Sequence, residues 1–196
     1  MSDALALPSG DFGAYLFDLD GTLVDNMPRN YAAWNRLVSE AGGQLTEELF
    51  YAWGGLPLAE VIARLNAQFG ISMDPVRAVA RKAELDLVDP QPPAPVSCVL
   101  AHVLEAEGRI PLAVVSGSSR KVICQTLRAL DILEYFDAVV GSEDYTSAKP
   151  APEPFLVAAD RLGVAPAACL VFEDADFGIE SAMSAGMSWV RVPRRP

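Results

Sequence analysis

Short apolar runs recur along the chain and alternate with stretches whose apolar residues return every three or four positions. Ala14–Phe17 (AYLF), Leu112–Val115 (LAVV), Ala138–Val140 (AVV), Cys169–Phe172 (CLVF) and Trp189–Val192 (WVRV) are the runs. Each is too short for a helix and reads as a buried strand. Between them the spacing predicts helices over Cys98–Glu107, Arg120–Leu130, Pro154–Leu162 and Phe177–Ala185. Gly108, Gly163 and Gly186 stand just past three of these, where glycine commonly stops a helix. Apolar strands alternating with helices predict an α/β fold, a doubly wound parallel sheet covered on both faces.

The region from Pro28 to Asp89 breaks this rhythm. It offers no convincing strand and reads as four helices, Arg29–Ala41, Thr46–Trp53, Pro57–Phe69 and Pro75–Val88. Asn26-Met-Pro28 leads in, and the proline-dense Asp89–Pro95 leads out as a semi-rigid connector. The expected organisation is therefore a core from residues 1–27 and 90–196, with residues 28–89 inserted as an α-helical cap domain.

The composition narrows the function. A formal net charge of −11 over 196 residues argues against a nucleic-acid binder, which needs a basic face. No apolar run approaches a membrane span, and no leader segment is recognisable, so a cytoplasmic protein with no membrane partner is expected. The three cysteines, Cys98, Cys124 and Cys169, are widely spaced and form no C-x-x-C pair; reduced, mostly buried thiols are expected. A single histidine, His102, excludes a histidine-rich zinc site and leaves little for a Ser/His/Asp hydrolase.

Candidate chemistry lies directly after the strands, where parallel sheets bind ligands. Asp18 and Asp20 follow the first strand in F-D-L-D-G-T-L-V-D, close enough to converge on one ion. Ser116-Gly117-Ser118 ends the LAVV strand and opens a helix at Ser119-Arg120, a place for phosphate oxygens. Lys149-Pro150 follows the AVV strand, and Glu173-Asp174 ends the CLVF strand. Adjacent acids at the end of a buried strand are costly unless paired or metal-bound. Taken singly, each pattern also fits an ordinary turn or loop.

Together, in this order, the four segments resemble the four motifs of the haloacid dehalogenase superfamily, whose core is Rossmann-like and whose first cap type is inserted where residues 28–89 lie. The resemblance implies Asp18 as nucleophile and Asp20 as general acid/base. It implies Ser116, Gly117 and Lys149 as phosphate-binding, and Mg²⁺ held by Asp18, Asp20 through its carbonyl, Glu173 and Asp174. Asp20 itself favours phosphoryl transfer, because the dehalogenase branch lacks it.

The chain is similar to the β-phosphoglucomutase-like branch, and V-F-E-D-A-D-F-G-I resembles bacterial phosphatases acting on fructose 1-phosphate and 6-phosphogluconate. That resemblance implies a small phosphorylated metabolite, a sugar phosphate, as partner, with a monomer or small homo-oligomer expected. It points to Asn30, Gly55 and Lys82 of the cap as substrate-facing. Asn30 stands where many members carry histidine, and no arginine lies near Leu56-Pro57. Both departures favour hydrolysis over a mutase. The alternatives are a sugar phosphomutase and, more remotely, a phospho-accepting receiver domain, which would carry its aspartate on a middle strand and lack the insert.

Overall fold

The computed structural model describes residues 5–54, 56, 58–86 and 92–193. Strand β1 (Ala14–Phe17) is followed by helices α1 (Met27–Glu40), α2 (Glu47–Ala52), α3 (Leu58–Phe69), α4 (Pro75–Asp86) and α5 (Ser97–Ala106). The chain then alternates: β2 (Leu112–Val115), α6 (Arg120–Ala129), β3 (Ala138–Val140), α7 (Glu153–Leu162), β4 (Cys169–Glu173), α8 (Asp176–Ser184) and β5 (Ser188–Arg191). The five strands form one sheet in the order β3-β2-β1-β4-β5, every pair parallel. The expected α/β doubly wound fold is what the chain adopts. The strand order reverses beside β1, which puts the ligand-binding crevice of such sheets at its carboxyl end.

Side chains along a strand alternate between faces, and here both faces are dry. Phe17, Leu112, Val114, Leu170 and Phe172 belong to one apolar cluster, in which the Phe17 and Phe172 rings stack with centroids 4.4 Å apart. Leu16, Ala113, Val115, Cys169 and Val171 belong to a second, with Phe155 of α7 and Ala182 of α8. A third cluster comes entirely from the helical region: Trp34, Leu37 and Val38 meet Ile62, Leu65, Ala78 and Leu85. Tyr31, Phe50 and Trp53 pack against it, as expected for core aromatics rather than a stacking platform.

Several boundaries differ from expectation. Helix α1 starts at Met27, ahead of Arg29, because Pro28 sits in its first turn, where a missing N–H costs nothing. Thr46 lies outside α2 as its cap, its side chain accepting from the Leu49 N–H. Strand β5 is Ser188–Arg191 rather than 189–192, because its register against β4 pairs Leu170 with Ser188 and Glu173 with Arg191. Gly55, Pro57, Leu87, Val88 and the start of the 89–95 connector lie outside the described residues. His102 is buried against Phe172 and meets the Leu5 carbonyl through Nε2 at 3.0 Å. Of the cysteines only Cys169 is buried; Cys98 and Cys124 are partly exposed, and none is paired. No described helix is long and apolar enough to cross a membrane.

Candidate active site

Strand alternation builds the floor of the site. Leu16 and Val171 point to the α7/α8 face, so Asp18 and Glu173, two residues further on, turn to the same face. The register pairing Phe17 with Phe172 sets them side by side at the sheet's carboxyl edge. The Asp18 N–H donates to the Phe172 carbonyl at 3.0 Å. Lys149 enters from the loop after β3. Its Nζ donates to Asp18 Oδ1 at 2.7 Å, to Glu173 Oε2 at 2.7 Å and to the Val115 carbonyl at 3.3 Å. The ammonium also lies 4.9 Å from the centre of the Phe155 ring. Burial alone would lower the Lys149 pKa, but the charges of Asp18 and Glu173 hold it above the usual lysine range. The lysine stays an ammonium.

One lysine does not balance the site. Ligand oxygens of Asp18, Glu173 and Asp174 all lie within 4.8 Å of one another, and all three residues are buried. Burial, reinforced by the Asp18 charge, pushes both Glu173 and Asp174 above the ordinary carboxylate range, against the opposing pull of Lys149. Three buried carboxylates against one ammonium leave an excess of negative charge. That donor set, all oxygen, suits a hard divalent cation. Thr22, fully buried, donates to Asp174 Oδ1 at 3.3 Å, and the Ala175 N–H donates to Glu173 Oε1 at 3.2 Å.

Asp20 stands apart: its carboxylate is outside the acidic cluster. Asn26 occupies the N-cap position of α1, where Asn usually accepts a helix N–H. Here it makes no such bond. Its Nδ2 donates to Asp20 Oδ1 instead, and its own Oδ1 is buried with no partner among the described residues. Burial raises the Asp20 pKa, the Asn26 hydrogen bond opposes the rise, and the Asp18 charge adds to it. The charge of Lys82 in α4 also opposes the rise in the Asp20 pKa. Asn30, half-buried in the first turn of α1, makes no side-chain hydrogen bond among the described residues, and Gly55 lies outside them.

Ser116 follows β2, with its N–H on the Val140 carbonyl at 3.0 Å and its Oγ accepting from the Ser118 N–H at 3.1 Å. Gly117 is next in the same loop. The amide that opens α6, Arg120 N–H, is not available to a phosphate: both oxygens of Glu143 take it, at 3.0 and 3.1 Å.

A family model described as haloacid dehalogenase-like hydrolase matches residues 15–192. The chain is 37% identical over 191 residues to fructose-1-phosphate phosphatase YqaB of Escherichia coli K12, covering 92% of this chain and 96% of that protein. This chain belongs to the haloacid dehalogenase-like hydrolases. It is also 31% identical to a phosphorylated carbohydrates phosphatase of Thermotoga maritima, covering 89% of this chain and 82% of that protein. Among solved structures, β-phosphoglucomutase from Clostridium difficile superposes with a TM-score of 0.79 at 26% identity, over 93% of this chain and 85% of the other. The named haloacid dehalogenase-like relatives at more than 30% identity here are thus phosphatases, and this member is a hydrolase of the phosphoric monoester class.

Two contacts of this family member escape its motifs. Arg191 of β5 reaches back to the Asp174 carbonyl at 3.0 Å and to Asp176 Oδ1 at 2.6 Å. Residues 191–196 had read only as a strand end and tail. Gly178 in α8 makes room for Glu173: a Cβ there would fall 2.0 Å from the glutamate Cδ. Because Lys149 and Ala175 hold both oxygens of that carboxylate, it has nowhere to retreat. Gly178→Ala is expected to cost roughly 1–3 kcal/mol of stability and to lower kcat/KM about 10-fold as Lys149 loses its second anchor. Thermal unfolding and steady-state kinetics check it; unchanged values would mean that Glu173 relocates freely.

Proposed function

We propose that the chain is a Mg²⁺-dependent phosphatase that hydrolyses a small phosphorylated metabolite, a sugar phosphate, through an aspartyl-phosphate on Asp18. The observation that carries this reading is the buried Asp18–Lys149–Glu173 triad at the sheet's switch point, beside Asp174. Asp18, Glu173, Asp174 and the Asp20 carbonyl would hold the ion, which supplies positive charge against a phosphate dianion. Lys149 Nζ, 2.7 Å from Asp18 Oδ1, sets a positive charge between the nucleophile and the incoming phosphate. Ser116 and the Gly117 amide hold phosphoryl oxygens.

In the first step a bond forms from an Asp18 oxygen to phosphorus, and the bond from phosphorus to the sugar oxygen breaks. Asp20 donates its proton to that leaving oxygen, and its raised pKa favours the protonated form this requires. In the second step Asp20 takes a proton from water as the water oxygen attacks phosphorus. The Asp18–phosphorus bond breaks and phosphate leaves. Positioning and charge neutralisation carry most of the rate.

Residues 28–89 act as a cap over this core. The separate apolar cluster of that region supports the division, and the charge of Lys82 felt at Asp20 supports a cap lysine at the substrate. The sugar-phosphate assignment rests on the names of the two phosphatase relatives. A phosphate-release screen across phosphorylated metabolites tests it. Release of phosphate from sugar phosphates with Mg²⁺, and its abolition by EDTA, is expected. Turnover only with an added bisphosphate would mark a mutase, and release that survives EDTA would remove the metal from the scheme.

A further inference from the structure

The loop that carries Ser116 and Gly117 is short, and its shape has to come from somewhere. Its own residues supply one internal bond, from the Ser118 N–H to Ser116 Oγ. Ser119, at the N-cap position of α6, contributes no side-chain cap. Beside the Ser116 N–H bond to Val140 of β3, the other ties among the described residues come from the stretch just after that strand. The Ser142 N–H donates to the Ser118 carbonyl at 3.0 Å. The Glu143 carboxylate accepts the Arg120 N–H through both oxygens. The Tyr145 hydroxyl donates to the Ser116 carbonyl at 3.2 Å. The two segments lie so close that a Cβ on Gly141 would meet the Arg120 nitrogen at 2.6 Å.

The stretch is itself anchored. Asp144 takes the Gly141 N–H at 2.8 Å and Arg161 Nη2 at 2.5 Å, and also accepts from Arg120. Arg161 in turn donates to the Val139 carbonyl at 2.7 Å. The turn is thus braced against α7, β3 and α6 at once, and each of its next-door polar groups lands on the backbone of the Ser116 loop.

We propose that Glu143 and Tyr145 are positioning residues for phosphate binding: they touch no substrate, but fix the Ser116–Arg120 backbone so that the Ser116 hydroxyl and Gly117 amide converge on one anion. This rests on the reading of Ser116 and Gly117 as the phosphate grip. The effect expected is on binding rather than on chemistry, because neither residue reaches Asp18 or Asp20 directly.

Three variants, Glu143→Ala, Glu143→Gln and Tyr145→Phe, are compared with the parent enzyme in Mg²⁺. The readouts are kcat, KM and the Kd of inorganic phosphate by calorimetry. Glu143→Ala is expected to weaken phosphate binding and raise KM about 5-fold, the size of one lost helix-capping bond, with kcat within about 2-fold. Glu143→Gln, which keeps an acceptor oxygen for the Arg120 N–H, is expected to recover most of that loss. Tyr145→Phe is expected to raise the phosphate Kd about 3-fold.

Tighter phosphate binding in both Glu143 variants would show that the carboxylate acts only as a repelling charge, and would overturn the proposal. So would a lowered melting temperature with KM and phosphate Kd unchanged. Should Glu143→Ala fail to fold, Glu143→Gln and Tyr145→Phe decide alone: Tyr145→Phe must weaken phosphate and Glu143→Gln must stay near the parent. If the parent enzyme releases no phosphate from any ester, the proposed activity fails, while the calorimetric phosphate Kd still tests the turn.

Discussion

Asp18→Asn is expected to lower kcat by at least ~10³-fold, because the group that accepts the phosphoryl is gone. The amide matches the carboxylate in shape, and its remaining carbonyl oxygen can still accept from Lys149 Nζ, now 2.7 Å from Oδ1. The fold and KM should therefore change little, and the loss should appear in kcat. Single-turnover kinetics with acid quench would also show no phosphorylated protein in the variant. Near-normal turnover would sink the aspartyl-phosphate mechanism on Asp18; of the other two carboxylates in the cluster, Glu173 has both oxygens held, by Lys149 and Ala175, and Asp174 is held by Thr22.

Lys149→Met combines two effects. The thioether keeps most of the lysine's length but removes the one charge offsetting three buried carboxylates. Breaking one side of a buried ion pair costs about 3–5 kcal/mol, because the partner is left charged and unpaired. For a chain of this size that corresponds to a fall in melting temperature of roughly 6–20 °C. A further loss of about 10²-fold in kcat/KM is expected from the missing charge at the nucleophile. Added Mg²⁺ should restore part of the stability and little of the rate. Differential scanning calorimetry with EDTA and with Mg²⁺ separates the two, and an unchanged melting temperature in EDTA would contradict the charge balance argued for the site.

Much of this was legible in the sequence, for identifiable reasons. The strands were readable because AYLF, LAVV and CLVF are buried on both faces and so are apolar without interruption. Asp18, Ser116 and Glu173 were readable because each stands next to such a run. Lys149 was found by its motif and not by any local pattern. What escaped was set by contacts distant in sequence. Asn26 belonged to the lead-in connector, yet it turns its amide to Asp20. Arg191 looked like the end of a strand, yet crosses to the Asp174 loop. Nothing around Glu143 singles it out, yet it takes the Arg120 amide at the start of α6. In each case the fold supplies a partner that the local pattern does not name.

The two-sided strands have a consequence for how the protein can change. Strands β1 and β4 are only four and five residues long, yet their neighbouring residues answer to different demands. Phe17, Leu170 and Phe172 face a cluster without a charged member. Leu16, Val171, Asp18 and Glu173 share the other side with Lys149. Substitutions in the first set are expected to act mainly on stability, and those in the second on stability and turnover together. Stability can therefore be adjusted on one face without disturbing the site on the other, within strands only four and five residues long.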